Sequence, residues 1–253
     1  MRVVHWNIQH GGGPTRTPEI ALALLDYRAD VVVLTEFRRE RGGQIAGVLH
    51  DHGLRFQANS HPPPRTNGVL IASREPLHVI PPPADRDIAT RRVDVHLPDS
   101  ALWITGVHVP DAAKHDAPAI VRKAAHFRAL IEFSREKAGE RHVITGDLNT
   151  GRHRLDEPGE TFTCTALLGQ LATFGYADAY RALHPTGRDA SWQSHIGQGF
   201  RLDHTLVSSA LSGGVREAWY DENPRDSKHS DHAPMIVELD LADDGGRIKT
   251  VRA

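Results

Sequence analysis

Short apolar runs rich in valine, isoleucine and leucine recur along this chain, and polar residues stand at their ends. Arg2–Ile8 carries Asn7 near its end, Val31–Leu34 runs into Thr35-Glu36, and Leu102–Val107 runs into His108. Val143-Ile144-Thr145-Gly146 leads to Asp147-Leu148-Asn149, Asp203 enters the run that closes at Val207, and Asp231-His232 precedes Met235–Leu239. Runs of this length and β-branched content read as buried strands. Polar residues at their tips stand at the lip of a sheet, where chemistry gathers in α/β folds. Singly, each has an ordinary explanation; Asp147 and Asn149, for one, fit an Asx turn. Together they point to one site along one edge of a sheet core. A carboxylate closing a buried strand, as Glu36 does, is costly unless it is paired or bound to a metal, so Glu36 reads equally as a metal ligand or as an exposed turn residue.

The intervening segments supply the rest of the elements. Thr17-Pro18-Glu19 predicts a helix start, with Thr17 as N-cap and Pro18 at the first helical position. Gln44–His50 looks helical, and Asp116–Lys137 is the longest helical pattern, with Ala124, Phe127, Leu130 and Ile131 on one face and Gly139 past its end. Further helices are expected over Cys164–Ala172 and Ala177–Leu183, and further strands over Arg55–Ala58, Val69–Ala72, Arg92–Leu97 and Val215–Trp219. Asn67-Gly68 is a hairpin signal. Gly11-Gly12-Gly13 reads as a turn, and Gly146 as the point where the backbone bends as its strand stops. No linker or repeat divides the sequence, so residues 1–242 are expected to form a single domain, with the Gly- and Arg-containing 243–253 a flexible tail.

Charge excludes little: 30 Lys+Arg nearly cancel 32 Asp+Glu, which leaves room for a local basic groove. Arg38, Arg39, Arg41, Arg91, Arg92, Arg152 and Arg154 lie in or beside loops near the strand tips. The lone Cys164 rules out an intramolecular disulfide and fits a reducing, cytoplasmic setting. There is no apolar run long enough for a membrane span and no signal-peptide region. Among the tip residues, the oxygen ligands Glu36, Asn7 and Asp231 suit Mg²⁺ or Mn²⁺ better than zinc. His232, with Asp203 available elsewhere, makes a carboxylate-oriented imidazole.

Trp6-Asn7-Ile8, Thr35-Glu36, Gly146-Asp147-Leu148-Asn149, Arg201-Leu202-Asp203-His204 and Ser230-Asp231-His232-Ala233-Pro234 resemble, in order, the motifs of the endonuclease/exonuclease/phosphatase superfamily. That superfamily includes exonuclease III, deoxyribonuclease I, sphingomyelinases and inositol polyphosphate 5-phosphatases. The resemblance spans residues 6 to 234. It implies an α/β (α+β) four-layered sandwich, two packed mainly antiparallel or mixed sheets flanked by helices. It also implies roles. Glu36 would be the principal metal ligand, helped by Asn7 and Asp231. Asp147 would orient or deprotonate water or hold a second metal, and Asn149 would bind a phosphate oxygen. Asp203 would hydrogen-bond His232, His232 would contact the scissile phosphate, and His108 would contact phosphate or assist the leaving group. Exonuclease III-like enzymes usually carry Tyr where this chain has His108, whereas deoxyribonuclease I-like and sphingomyelinase-like members carry His. Trp192, Phe200 and Leu202 fall where repair enzymes place apolar residues around an extruded sugar, so Trp192, Phe200 and Arg92 are the expected substrate contacts.

The function expected is Mg²⁺- or Mn²⁺-dependent phosphodiester hydrolysis by a nuclease acting on DNA, with a monomer favoured. One alternative is a phosphatase or phosphodiesterase acting on a small-molecule or lipid phosphoester, which the absence of net basic charge supports. Another is a non-catalytic binding module on the same fold, against which the complete set of metal and imidazole positions argues.

Overall fold

The computed structural model describes residues 1–242; the segment 243–253, expected to be a tail, lies outside the described residues. The chain runs β1 (Arg2–Asn7), α1 (Gly13–Asp26), β2 (Val31–Phe37), α2 (Arg39–Asp51), β3 (Phe56–Asn59), β4 (Gly68–Ser73), β5 (His78–Val79), α3 (Arg86–Thr90), β6 (Arg92–Leu97) and β7 (Leu102–His108). It continues α4 (Ala117–Glu136), β8 (Arg141–Asp147), α5 (Thr165–Thr173), β9 (Ala177–Asp178), α6 (Ala179–Leu183), β10 (Trp192–Gln193) and β11 (Gly199–Phe200). It ends β12 (Asp203–Val207), α7 (Ser209–Ser212), β13 (Val215–Tyr220), α8 (Asn223–Asp226) and β14 (Met235–Leu239).

Two six-stranded sheets result, ordered β13-β14-β1-β2-β4-β3 and β5-β6-β7-β8-β12-β9. Both are mixed: β1–β2 and β7–β8 pair parallel, and their other neighbours pair antiparallel. The period-2 alternation of strand side chains sorts the apolar residues into layers. Val3, Val31, Val33, Val95, Ile104, Val143 and Val207 face one another between the sheets. Val4, Trp6, Val32 and Leu34 turn outward onto Ile20, Leu24, Ile45 and Leu49 of α1 and α2. Val107, Ile144 and Leu206 turn outward from the second sheet onto Phe127, Leu130 and Leu171 of α4 and α5. The order helix, sheet, sheet, helix is the four-layered sandwich that the family resemblance implies.

Two local expectations are corrected. The first helix begins at Gly13 rather than after a Thr17 N-cap; Pro14 takes the early position, and Thr17 Oγ1 bonds back to the Gly13 and Gly11 carbonyls. The hairpin signalled by Asn67-Gly68 forms, β3 pairing antiparallel with β4, but Asn67-Gly68 is not its turn: the connection is the 60–67 segment, Gly68 already belongs to β4, and Asn67 Oδ1 accepts from Arg38 Nε at 2.7 Å. No helix among the described residues is long and apolar enough to cross a membrane.

Candidate active site

The layering that makes the core also makes the site. Each inward-facing column is apolar at one end of the sandwich and polar at the other. On β1 the column is Val3, His5, Asn7; on β7, Leu102, Ile104, Gly106, His108; on β8, Val143, Thr145, Asp147. β12 runs antiparallel to β8, so its first residue, Asp203, pairs directly with Asp147, while parallel β7 sets His108 beside Asp147 on the other side.

Glu36 arrives by a different device. Strict alternation would turn it outward with Val32 and Leu34. Instead the β2–β4 register shifts between Thr35 and Phe37, and Glu36 has φ 56°. This bulge re-aims the side chain, a common use of bulges beside functional sites. Gly146 is required by a close approach and not by a bend: a Cβ there would lie 1.8 Å from the Val107 carbonyl oxygen.

At the polar end the side chains interlock. Asn7 Nδ2 donates to Asp147 Oδ2 at 2.9 Å and lies 3.4 Å from Glu36 Oε1, while Asn7 Oδ1 accepts from Gln9 N. Asn7 therefore presents its NH₂ to the two carboxylates, not the oxygen expected of a ligand. Asp147 Oδ1 accepts from Asn149 N at 2.9 Å, so the Asx turn and the site coexist. Asn149 Nδ2 is anchored on the Val109 carbonyl. His232 Nδ1 lies 2.7 Å from Asp203 Oδ2, with both residues buried. Because the carboxylate accepts, Nδ1 carries the proton and Nε2 is left for the cleft. Burial alone would lower the His232 pKa, but the Asp203 charge and hydrogen bond outweigh it and raise it above the ordinary imidazole value.

His108 behaves in the opposite way. Burial and the Arg91 guanidinium depress it well below 6.5. Its Nδ1 lies 3.2 Å from Arg91, which can only donate, so the hydrogen sits on Nε2, 3.9 Å from Asp147 Oδ2. Burial and the Asp203 charge push the Asp147 carboxyl upward.

Glu36, His108, Asp147, Asn149 and His232 line a cleft of about 690 Å³. Phe162, Trp192, Phe200 and Leu202 wall one side, and Arg91, Lys114, His115 and Lys123 line it elsewhere. Trp192 and Phe200 pack with ring centroids 5.6 Å apart, and Trp192 Nε1 donates to Asp231 Oδ2 at 3.2 Å. Asp147, Asp203 and His232 each bring one ligand atom within 4.8 Å of the others, a group that could hold a metal ion. Glu36 and Asp231, the carboxylates expected at the metal, are not part of that group but line the same cleft as Asp147.

The sequence profile of the endonuclease/exonuclease/phosphatase family matches residues 4–232. The chain belongs to that family. It is a phosphoester hydrolase. Among solved structures, a Neisseria 3′ phosphatase, NExo, bound to a product DNA hairpin, is 26% identical with a TM-score of 0.80, covering 95% of this chain and 99% of that one. The 3′-5′ exonuclease NExo from Neisseria meningitidis is likewise 26% identical with a TM-score of 0.80, over 95% of this chain and 100% of that one. An AP endonuclease from Archaeoglobus fulgidus, 19% identical over 95% and 99%, shares the fold with a TM-score of 0.83. Among curated proteins nothing matches.

The structure brings Glu36, Asn7, His108, Asp147, Asn149, Asp203, Asp231 and His232 to one end of the sandwich, with Trp192 and Phe200 beside them. Arg92 is the exception. It points under α4, bonded to Asp94 at 2.8 Å and to the Ala129 carbonyl, with its guanidinium 4.5 Å above the Phe133 ring. Arg92 begins β6 and shares the outward face with Asp94, which α4 covers. Arg91, one residue earlier, lines the cleft instead. No sequence signal separated the two arginines. His5, inward-facing and fully buried between Val3 and Asn7, is a further polar residue of this end of the sandwich that the strand-tip pattern does not single out.

Proposed function

We propose that this chain hydrolyses phosphodiester bonds of DNA with a divalent cation, Mg²⁺ or Mn²⁺, at the rim formed by Glu36, Asp147 and Asp231. The observation that carries the reading is the buried Asp203–His232 bond set directly beside Asp147 on the cleft floor. The donor set fits a cation: Asp231 Oδ1 is buried with no hydrogen-bond partner, and the carboxylates gathered here are all hard oxygen ligands. Asp203 and His232 suit it less, because their mutual hydrogen bond already occupies His232 Nδ1 and one Asp203 oxygen. The cation, when bound, supplies positive charge against the developing phosphate oxyanion.

The chain's own groups do the rest. Asp147, held by Asn7 and the Asn149 amide, accepts a proton from the attacking water in its ionised form. His232 donates from Nε2 to a phosphate oxygen, and His108, kept neutral with its hydrogen on Nε2, donates to a second. Trp192, Phe200 and Leu202 offer an apolar wall for a sugar or base taken out of the stack. The solved relatives at 26% identity are described as a DNA 3′ phosphatase and a 3′-5′ exonuclease, which supports processing at 3′ ends.

The test is an activity panel with Mg²⁺: an abasic duplex, a recessed 3′ end, a 3′-phosphate hairpin, supercoiled plasmid, and a small phosphodiester. Cleavage of DNA whose rate falls steeply with salt, as phosphate contacts that release counterions demand, supports the reading. Strong turnover of the small ester with none on any DNA would replace it by the small-substrate phosphatase.

A further inference from the structure

His5 stands between Val3 of the apolar core and Asn7 of the site, on the inward face of β1. It is 0% exposed. Its Nε2 lies 3.1 Å from Thr35 Oγ1 on the neighbouring strand. Its Nδ1 lies 3.5 Å from Asp203 Oδ1 on the opposite sheet. His5 Nδ1 and Asp203 Oδ1 are both buried, and neither has a hydrogen-bond partner within strict geometry. A buried polar atom left unpaired destabilises the fold, so two such atoms facing one another are each other's natural partner.

We propose that His5 donates from Nδ1 to Asp203 Oδ1 and acts as a positioning residue, fixing the carboxylate that orients His232. The inference rests on the Asp203–His232 pair having the role given above. A neutral imidazole offers one donor and one acceptor. Thr35 Oγ1 then donates to Nε2, and the Nδ1–H is directed across the sheet interface. Asp203 has both oxygens engaged, Oδ2 by His232 and Oδ1 by His5. It cannot rotate about its Cβ–Cγ bond without breaking one of them. The same double engagement removes Asp203 from the atoms free to hold a cation, which leaves that work to the rim carboxylates. The arrangement joins β1, β12 and the segment before β14 through one carboxylate. The sandwich therefore carries the orientation of His232 from its own interior.

Two substitutions separate this role from space-filling. His5→Asn puts an amide NH₂ close to the position of Nδ1 and keeps a donor for Asp203. His5→Leu fills similar space with none. With the best DNA substrate, His5→Leu is expected to lower kcat by about 10- to 100-fold, the range for partners that orient a site residue. KM should stay within about two-fold, because substrate contacts are untouched, and His5→Asn should recover most of kcat. Thermal unfolding midpoints identify a variant that is merely unfolded.

A second measurement does not depend on turnover. Long-range ¹H–¹⁵N spectra of histidine-labelled wild type, with His5 assigned by its loss in His5→Asn, should report the neutral Nδ1–H tautomer. A wild type inactive on every phosphoester would overturn the proposed function and leave the tautomer to decide the role of His5. An Nε2–H tautomer, or a folded His5→Leu with wild-type kcat, overturns the inference.

Discussion

Asp203→Asn is the perturbation that most directly tests the imidazole–carboxylate pair. The side chain keeps its shape and loses its charge. In the wild type the 2.7 Å contact to His232 Nδ1 is buried from solvent on both sides. A hydrogen bond to a charged group is worth about 1.5–3 kcal/mol net. At about 1.4 kcal/mol per tenfold in rate, losing that much transition-state stabilisation corresponds to roughly 10- to 150-fold. The loss grows if the imidazole also changes tautomer, toward the ~10⁴-fold seen when a triad carboxylate is neutralised. The assay is kcat/KM on the best DNA substrate for Asp203→Asn, His232→Ala and the double variant. Residues that act as a unit should give a double variant scarcely worse than His232→Ala. Added Mg²⁺ should restore nothing, since neither residue is placed at the cation. Multiplicative losses, or an Asp203→Asn variant as active as wild type, would refute the pairing.

Glu36→Gln should lower Mg²⁺ affinity by on the order of tenfold or more, because an ionised oxygen ligand is removed; calorimetric titration with an unchanged circular dichroism spectrum checks it. Arg91→Ala should reduce turnover while barely moving the unfolding midpoint. Arg92→Ala should instead destabilise by about 3–5 kcal/mol, because it strands buried Asp94; urea unfolding compared with kinetics separates the two. Arg201 bonds Asp156 and Asp178 at 2.7 Å each, outweighing burial and holding Asp156 down to about 2. A carboxyl depressed on folding stabilises fully above its unfolded value of about 3.9 and loses that contribution as pH falls through its folded one. Wild type should therefore lose stability between about pH 4 and pH 2, and Arg201→Met should show a lower midpoint at pH 7 with a shallower acid limb, read by urea melts across pH.

The strands were legible because inward and outward residues alternate with little interruption: Val3, Val31, Val33, Val143 and Val207 against Val4, Val32, Leu34 and Ile144. The tips were legible because a charge at the end of a buried strand needs a reason. What stayed hidden depends on geometry that a linear pattern does not carry. The bulge at Glu36 breaks the alternation that would have turned its carboxylate away from the cleft. Arg91 and Arg92 are adjacent and chemically identical, and only the cover provided by α4 distinguishes them. Thr17-Pro18 carries a strong helix-start pattern, yet Pro14, four residues earlier, competes for the same role and wins. The donor face of Asn7 follows from the Gln9 amide claiming its oxygen, a contact set by left-handed backbone at Gln9 and His10.

The site draws on both sheets, and that has a physical consequence. Asn7 and Glu36 come from one sheet; His108, Asp147 and Asp203 come from the other. His232 belongs to neither, lying in the segment that leads to β14. Its main-chain carbonyl accepts from Trp6 Nε1 at 2.8 Å, and Ser230 Oγ, two residues earlier, donates to the Asn7 carbonyl at 2.6 Å. Both anchors are on β1. The segment bearing His232 is thus fixed to the first sheet by its backbone and to the second by its imidazole. Sliding one sheet over the other would stretch the Asp203 bond before disturbing much apolar contact, because dispersion contacts are many and weak whereas this hydrogen bond is single and directional. The valine layer sets the distance between the sheets, and the polar end converts that distance into the alignment of His232 with Asp147. Cavity-forming substitutions in the inter-sheet core, far from any phosphate, should accordingly reach the chemistry through this one carboxylate.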